Sequence, residues 1–581
     1  MSRYMPVSER KEIRNHVLGL FLMLAILFGF GLDRYGLFDV DEAIFAQATI
    51  EMRERGDFVT PTYNGEPRYH KPPMIYWLQH FSMEQFGETP LGARVPSAIA
   101  AFLLSLAMYI FVERMTRNPR YAMMATAVMA LNLSFMILAR AAIADMVMNF
   151  FIFCSTMTLV ANIYARERSV VATWVAGIVF AAGFITKGPV VALVPTLVVG
   201  TAVLMNPRGI GHGLKAANPF IILVAIALGL FPWCQMIISA HGPDFFVEFI
   251  MKHNVERFFS GLGNTHTSSP YYYLGVVAIG FFPWVLIAPS ALWWQAKGFM
   301  SNLRSDNPSE VLPALGLVWF VGVVAVFSFS QTKLVHYIVP ALPGFALWIG
   351  GRLDRINNMK VKGWQMMWML PFIMILFAFF FLLKWLPKAL FGEGPDWVLG
   401  IFRYLQENFG MEWPVDDILL QSVLMQEFDI GIIGVAIAAL ILVGSVAGFS
   451  LIKRGYHQGV MLWAVSYGMV LFLFFNGLGP TVYQVQQGAL KQHAEYVASH
   501  FEEGDQFYFV GLHQPSVRLI SKVPYVAVHR PHEIAAEKKT YQQFFLYDIE
   551  RQEAFNEHFA DVQPYETCEG GYCLAVVSKG F

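Results

Sequence analysis

Blocks of about twenty apolar residues recur along this chain, and they restrict its fold more than any other feature. A block of that length can cross the hydrocarbon core of a bilayer as a helix. Charged residues make up only 14% of the 581 residues, whereas soluble domains carry about a quarter. We therefore predict a polytopic α-helical membrane protein. The net charge of −1 gives no indication of a nucleic-acid partner.

The apolar blocks predict about thirteen transmembrane helices. They lie near residues 15–32, 94–113, 121–137, 143–163, 171–186, 189–205, 219–240, 271–295, 311–329, 335–350, 366–386, 429–450 and 459–476. The first block resembles a signal peptide, but charged residues follow it instead of a small-residue cleavage site, so we expect an uncleaved span. The division after Lys187 depends on the Gly188-Pro189 pair, which interrupts a long apolar run.

One alternating set of connections is short and basic. It reads "ERMTRNPR", "YARERS", "NPRGIGHGLK", "QAKGFMSNLR", "GRLDRINNMKVK" and "LIKRG". Basic loops face the cytoplasm, so the amino terminus lies there, and an odd number of spans places the carboxy-terminal tail outside. We expect a transmembrane domain over residues 1–476, with an extracytoplasmic first loop at 33–93, and a soluble extracytoplasmic domain over 477–581.

The tail predicts a small α/β domain. Its short apolar runs "DQFYFVGL", "VPYVAVH", "QQFFLYDI" and "YCLAVVSK" predict strands, and "PSVRLIS", "HEIAAEKK" and "RQEAFNEHF" predict helices between them. Cys568 and Cys573, in "CEGGYC", form either a disulfide or two free thiols, and an extracytoplasmic tail permits the disulfide. Cys154 and Cys234 lie within apolar blocks and are interpreted as packing residues.

Several charged residues stand on the predicted outer side of the membrane, where the positive-inside rule predicts few basic ones. They are Arg68, Lys71, Arg140, Lys187, Lys252, Arg257 and Lys333, with the acids Asp39, Asp41, Glu42 and Asp145. One interpretation is that they are helix-end anchors whose charges reach the membrane interface. The other is a cavity that binds an anionic lipid headgroup, because arginine and lysine both bind phosphate. The carboxylates would then act as a base or bind sugar hydroxyls.

The acids also have a structural alternative, because an acid at the start of a helix can cap it. Asp39 or Asp41 could cap the amphipathic run "EAIFAQATIEMRER", but "DVDE" supplies three acids where a cap needs one, which favours a functional Asp41. Asp145 begins a predicted span, and capping and function remain equal alternatives there. Lys71 precedes two prolines, which fix the approach to the next helix.

These motifs together resemble a known family. The chain resembles the bacterial polyprenyl-phosphate-dependent glycosyltransferases of the aminoarabinose transferase and protein O-mannosyltransferase superfamily, which have the GT-C membrane fold. The motifs are "DVDEAIFAQATIEM", "NGEPRYHKPPMIYWL", "ARAAIADMVM", "ITKGP", "KHNVERF" with "HTSSPYYY", and "TKLVHYIVPALP". Thirteen spans and an outer carboxy-terminal domain also resemble the aminoarabinose branch.

The resemblance implies roles for particular residues. Asp41 would be the essential acid of the first loop, Asp145 a second acid of the cavity, and Glu42 a further catalytic candidate. Lys71 and Arg257 would hold the donor phosphate. Lys187, Tyr337 and Lys333 would line the same region. The family usually has Glu-Lys-Pro where this chain has His70-Lys71-Pro72. Two alternatives follow for His70 and His253: they bind a metal ion together, or each forms ordinary hydrogen bonds.

The resemblance also implies an inverting, lipid-phosphate-sugar-dependent glycosyltransferase at the periplasmic face of the bacterial inner membrane. It would move a sugar from a polyprenyl-phosphate donor, such as an undecaprenyl phosphate sugar, to lipid A. Protein O-mannosyl transfer and transfer to another surface glycan are alternatives. A lipid-linked-sugar transporter or flippase is the alternative from another class, although transporters often have repeated halves and this chain shows no obvious repeat. We expect the protein to be a monomer. We predict no cofactor, and a divalent metal ion is the alternative.

Overall fold

The computed structural model describes most of the chain. The described residues are 7–242, 244–256, 271–356, 458–535, 539–562 and 564–579, with a few between 436 and 447. The predicted span at 366–386, the residues between it and the next predicted span, and most of the span at 429–450 lie outside these residues.

Helices make up most of the described residues, and several of them could span a membrane. Six are long and apolar enough to cross a bilayer: Pro90–Thr116, Asp145–Tyr164, Val170–Lys187, Ile210–His241, Pro308–Phe329 and Met461–His500. Two bent pairs raise the number to eight: Pro119–Ala130 with Leu133–Ala139, and Tyr272–Gly280 with Trp284–Ala296. The prediction of a multi-span helical protein is confirmed for the described residues, and the count of thirteen stays a prediction.

The described residues also form other helices. The main ones are Val7–Gly29, Asp41–Arg55, Met74–Phe86, Leu193–Leu204, Phe299–Leu303, Leu342–Ile356, Pro515–Ser521 and Gln552–His558, with a π-helix at Val247–Glu256 and 3₁₀ turns at Pro189–Ala192 and Val335–Ala341. Polar caps explain several starts, because a side-chain oxygen accepts an otherwise unpaired backbone N–H. Thr89, Asn118, Ser169 and Asn307 each cap a helix in this way.

Two buried tryptophans stabilise breaks in the membrane helices. The indole N–H of Trp284 donates to the carbonyl of Leu131, at the bend between two helices, over 2.6 Å. The indole N–H of Trp319 donates to the carbonyl of Pro340 over 2.7 Å. A broken helix leaves carbonyls without an internal partner, and lipid offers none, so these donors make the irregular backbone tolerable inside the membrane part.

The first loop has its own structure. The helix Asp41–Arg55 ends at Gly56, whose φ of 66° lies in the left-handed region that favours glycine. A short hairpin follows, in which β1 (Thr62–Tyr63) pairs antiparallel with β2 (Glu66–Pro67). Asn64 and Gly65 form its turn with φ of 53° and 82°, as a type I′ hairpin turn requires. The loop is therefore a folded element that carries Asp41 and Lys71.

A five-stranded mixed sheet forms the centre of the carboxy-terminal region. Its strands are β3 (Gln506–Val510), β4 (Val526–Val528), β5 (Gln543–Asp548), β6 (Tyr565–Glu569) and β7 (Tyr572–Val577), in the order β4-β3-β5-β7-β6. The strand β3 is parallel to β4 and β5, and β7 is antiparallel to β5 and β6. One face packs against the helices Gly479–His500 and Pro515–Ser521, and the other against Gln552–His558, so helices cover both faces.

The sequence predicted four of these strands and missed β6. The Cys568–Cys573 disulfide forms between facing residues of β6 and β7, so the disulfide alternative is confirmed. The boundary predicted between residues 476 and 477 falls within the continuous helical segment Met461–His500. Residues 477–500 thus join the membrane part to the sheet as a helix.

Candidate active site

Asp41 is the first residue of the helix Asp41–Arg55, and its side chain is exposed. No side chain caps this helix, and its N-cap residue is Val40. The capping alternative for Asp39 and Asp41 is therefore wrong for this helix. Two acids in the first turn still match the positive end of the helix dipole, which stabilises a carboxylate there.

Asp145 and Lys187 form a buried ion pair. Lys187 Nζ lies 2.5 Å from Asp145 Oδ1, and the two side chains are 11% and 6% exposed. Asp145 begins one membrane helix and Lys187 ends the next, so the antiparallel packing of these helices brings the two ends together. Asp145 does not cap its helix. The Lys187 ammonium also lies 5.7 Å from the centre of the Tyr337 ring, within the range of a cation–π contact.

Electrostatic interactions connect this pair with the first loop. Lys187, His336 and Lys71 all lie within electrostatic range of the Asp145 carboxylate. Asp145, Lys187, Asp41 and Lys71 all act on the His336 imidazole. Residues from four distant parts of the chain thus converge on one region.

This region, which we call the charged chamber, consists of Asp41, Lys71, Asp145, Lys187, His336 and Tyr337. Five of these residues were predicted as site residues from the sequence. His336 was not among the predicted site residues, although "LVHY" places it next to Tyr337, at the predicted outer end of a span. That adjacency was the signal that could have identified it.

Glu42 lies next to Asp41 but has a different environment. Its carboxylate forms a bidentate ion pair with Arg94, at 2.8 Å from Nε to Oε1 and 2.7 Å from Nη2 to Oε2. It also accepts the backbone N–H groups of Phe38 and Ala142. Since both oxygens are occupied and the side chain is only 8% exposed, these contacts favour a structural role for Glu42.

The other predicted residues have separate positions. Lys333 donates from Nζ to the carbonyl of Ser330 over 2.7 Å, within its own turn. His70 is exposed beside Lys71. Arg257 lies outside the described residues, and so does the side chain of His253, so their predicted roles stay predictions.

Among the described side chains, one group has the composition and spacing of a metal site: Glu566, Cys568 and Cys573. The two cysteines form a disulfide, which removes their thiolates as ligands. This group therefore does not fit a metal ion, and a metal held by His70 and His253 stays an untested alternative.

Comparisons with known proteins find similar sequences and structures. A family model for dolichyl-phosphate-mannose-protein mannosyltransferases matches residues 16–240, the segment that contains Asp41, Lys71, Asp145 and Lys187. An uncharacterised protein of Aquifex aeolicus is 30% identical over 334 residues, which are 58% of this chain and 72% of that protein. The chain belongs to the aminoarabinose transferase and protein O-mannosyltransferase superfamily.

A relative with a named activity is the undecaprenyl phosphate-alpha-4-amino-4-deoxy-L-arabinose arabinosyl transferase 2 of Pseudomonas fluorescens. It is 31% identical over 351 residues, which are 59% of this chain and 56% of that protein. The matched region thus spans little more than half the length of this relative.

Solved structures extend the likeness to nearly the whole chain. The crystal structure of ArnT from Cupriavidus metallidurans bound to undecaprenyl phosphate superposes with a TM-score of 0.74 at 18% identity, over 97% of this chain and 99% of that one. The same protein in the apo state gives a TM-score of 0.71. This likeness shows the fold, which is the GT-C membrane fold with a small carboxy-terminal sheet.

Proposed function

We propose that this protein is an inverting glycosyltransferase that takes a sugar from a polyprenyl-phosphate donor at the periplasmic face of a bacterial inner membrane. The convergence of Asp41, Lys71, Asp145 and Lys187 in the charged chamber is the observation that carries the proposal. Family membership, and the undecaprenyl phosphate that the names of the relatives contain, support the lipid donor. Transfer of aminoarabinose to lipid A is the favoured reaction.

The donor phosphate would meet Lys71. When the bond between the anomeric carbon and the phosphate oxygen breaks, the oxygen keeps the electron pair and negative charge grows on the phosphate. A cation fixed at that point stabilises the transition state. Lys71 is held before Pro72 and Pro73, so its backbone position is fixed. Arg257 would add a second cation, as the sequence predicts.

Lys187 and Asp145 would act as a unit. A lysine already paired with a carboxylate at 2.5 Å has less net attraction for phosphate than a lysine without that partner. We therefore assign Asp145 to the positioning of Lys187 and Tyr337 rather than to proton transfer. From the sequence Asp145 was predicted as a catalytic residue, and we now propose that it positions other residues instead.

Asp41 remains as the reacting carboxylate. It is exposed at the start of its helix and acts on His336 within the charged chamber. With a hydroxyl acceptor, Asp41 would take the acceptor proton as the new glycosidic bond forms. With a phosphate acceptor no proton has to be removed, and Asp41 would orient the sugar and stabilise positive charge at the anomeric carbon. Glu42 would position Asp41 through Arg94.

Transfer assays with purified enzyme in liposomes test this proposal. Synthetic undecaprenyl phosphate aminoarabinose with lipid A should give labelled lipid A, and Asp41→Asn should lower the rate at least about 100-fold. Lys71→Met should raise the KM for the donor, because it removes a phosphate ligand. Lys491→Met is a matched control, because Lys491 is an exposed lysine of the helix Gly479–His500 whose ammonium pairs with Glu495 of the same helix. Full transfer by Asp41→Asn would reject its role.

The family model supports a second acceptor class, since its description names protein mannosylation. Polyprenyl-phosphate mannose with a Ser/Thr-rich peptide is therefore the second arm of the same assay. Donor that crosses the bilayer without transfer of its sugar would support a flippase instead. The disulfide supports an extracytoplasmic tail, and labelling of single introduced cysteines in intact cells tests that orientation.

A further inference from the structure

The carboxy-terminal region contacts the first loop directly at Asp39. The backbone N–H of Ser516 donates to Asp39 Oδ1 over 2.7 Å, and the Ser516 hydroxyl donates to Asp39 Oδ2. Ser516 stands at the start of the helix Pro515–Ser521, whose N-cap Gln514 supplies no side-chain cap. A carboxylate two residues before Asp41 thus caps a helix of the sheet region.

A second contact lies at the turn of the loop hairpin. The Asn64 side chain donates from Nδ2 to the carbonyl of Tyr525 over 2.8 Å and accepts the Tyr525 N–H at Oδ1 over 3.3 Å. The amide therefore pairs with the backbone as a neighbouring strand would. The hydroxyl groups of Tyr63 and Tyr525 lie 3.1 Å apart. This contact stands seven residues before Lys71.

Glu51 connects the two contacts within the loop. Its carboxylate accepts the Thr62 hydroxyl at 2.8 Å and the backbone N–H groups of Asn64 and Gly65 at 2.8 and 3.2 Å. Glu51 belongs to the helix that begins at Asp41, and it is only 5% exposed. The hairpin, this helix and the sheet region therefore form one hydrogen-bonded unit.

Apolar packing alone would already join the two parts. Leu519 packs against a buried cluster that includes Leu37, Ala46 and Ile50 of the first loop. Directional contacts are present in addition, and each ends within a few residues of Asp41 or Lys71. Hydrogen bonds fix orientation, whereas apolar contacts are non-directional.

We infer that the carboxy-terminal region positions the reacting groups of the first loop, and that Asp39 and Asn64 are the positioning residues through which it does so. This inference rests on the proposed function. Asp39 with Ser516 sets the position of Asp41, and Asn64 with Tyr525 sets the approach of Lys71. The region contributes no reacting group of its own in this arrangement, yet the rate depends on its contacts.

Kinetics distinguish the two contacts. Asp39→Ala should lower kcat roughly 10- to 100-fold with little change in the donor KM, because a displacement of about 1 Å at a reacting group has that effect. Asn64→Ala should raise the donor KM several-fold, because it releases the hairpin that leads to Lys71. Asp39→Asn keeps an acceptor for the Ser516 N–H and should retain most of the rate. Ser499→Ala and Asn556→Ala are matched controls, because both residues are exposed and bond within the carboxy-terminal region.

A double-mutant cycle tests the pairing. In the Asp39→Ala background, Ser516→Ala should add less than about twofold, because the hydroxyl has already lost its partner. If Ser516→Ala lowers the rate because the hydroxyl is missing, Ser516→Thr, which keeps a hydroxyl, should retain the rate. Asp39→Ala with Asn64→Ala should combine the losses of both. Independent effects of Asp39→Ala and Ser516→Ala would overturn the assigned contact.

Hydrogen exchange separates this inference from the proposed function, because it needs no activity. Asp39→Ala should increase amide exchange at residues 37–45, and Asn64→Ala at residues 60–71, while the spanning helices keep the protection of the wild type. If exchange increases as expected but kcat and the donor KM stay at wild-type values, the positioning role is refuted. If exchange stays unchanged, the mechanical connection is refuted whether or not the enzyme transfers sugar.

Discussion

Asp41→Asn and Glu42→Gln remove a negative charge from neighbouring positions, and the structure predicts different consequences for the two variants. Glu42 accepts four hydrogen bonds: two from Arg94, one from the Phe38 N–H and one from the Ala142 N–H. The Arg94 side chain is 1% exposed. Asp41 is exposed and caps nothing.

The magnitude follows from what each variant leaves behind. Glu42→Gln leaves the Arg94 guanidinium buried without a counter-charge, which costs about 3–5 kcal/mol. The new amide also turns donors toward groups that are themselves donors, and an unsatisfied buried group costs about 1–3 kcal/mol, partly included in the first figure. Asp41→Asn breaks no ion pair that the described residues show and should change the free energy of unfolding by less than about 0.5 kcal/mol.

Thermal unfolding in detergent and the transfer assay measure the two effects separately. We expect Glu42→Gln to unfold at a clearly lower temperature but to keep at least a tenth of the transfer rate when assayed well below that temperature. Asp41→Asn should unfold like the wild type and lose at least about 100-fold in rate. Glu54→Gln, an exposed acid of the same helix, is the control and should change neither. A Glu42→Gln variant with normal stability and no transfer would refute the reasoning, because Glu42 would then be a reacting carboxylate.

Three further predictions concern stability. Asp145→Asn should lower the free energy of unfolding by about 3 kcal/mol, because Lys187 loses its buried counter-charge. Adding Lys187→Met should restore stability but not transfer, and an active double variant would contradict the placement of this pair in the site. Burial raises the pKa of Asp39 to about 6 from 3.8, so the folded state binds this proton more tightly than the unfolded state does. The free energy of unfolding should therefore fall by up to about 3 kcal/mol as the pH rises from 4 to 6, and the unfolding curves of Asp39→Asn should lack that pH dependence. Replacement of Cys568 and Cys573 by serine should lower the free energy of unfolding by about 2 kcal/mol, by the chain-entropy relation. Sugar transfer should stay unchanged, because β6 and the Tyr525 contact lie at opposite edges of the sheet, and a loss of transfer in the folded variant would contradict this.

Local pattern was enough to predict much of the fold. Hydropathy identifies a spanning helix because lipid requires every backbone group to be satisfied within the helix. The pattern does not identify where such a helix breaks. The bend after Ala130 depends on the indole of Trp284, which is 153 positions away in the sequence. Residues Tyr565–Glu569 were missed as a strand because four of their five side chains are exposed, and their conformation comes from pairing with β7.

The site was predicted as a set of residues but not as a set of pairs. Asp41, Lys71 and Lys187 were identified because charges are unusual at their positions. No sequence pattern separates Asp41 from Glu42, because the difference between them depends on Arg94, a partner 52 positions away from Glu42. Which acid reacts and which acid holds the chain in place is a tertiary property.

The arginines and lysines around the first loop, within the described residues, differ in the groups that they contact. Arg94 donates to the carbonyls of Leu32, Tyr35 and Gly36 in addition to Glu42. Its planar fork can satisfy several acceptors at fixed angles, which suits carbonyls at the end of a helix.

Arg140 continues the same arrangement, because it donates to the carbonyls of Leu27, Phe30 and Gly31. Together the two guanidinium groups hold the segment from Leu27 to Gly36, which joins the first span to the loop of Asp41. A lysine offers a single point charge and could not replace either of them. Lys71 and Lys187 lie in the charged chamber, where a point charge is sufficient: for Lys71 in the proposed contact with the donor phosphate, and for Lys187 in its ion pair with Asp145. The two arginines therefore hold the backbone that leads to Asp41, and a count of charges alone does not separate this structural role from phosphate binding.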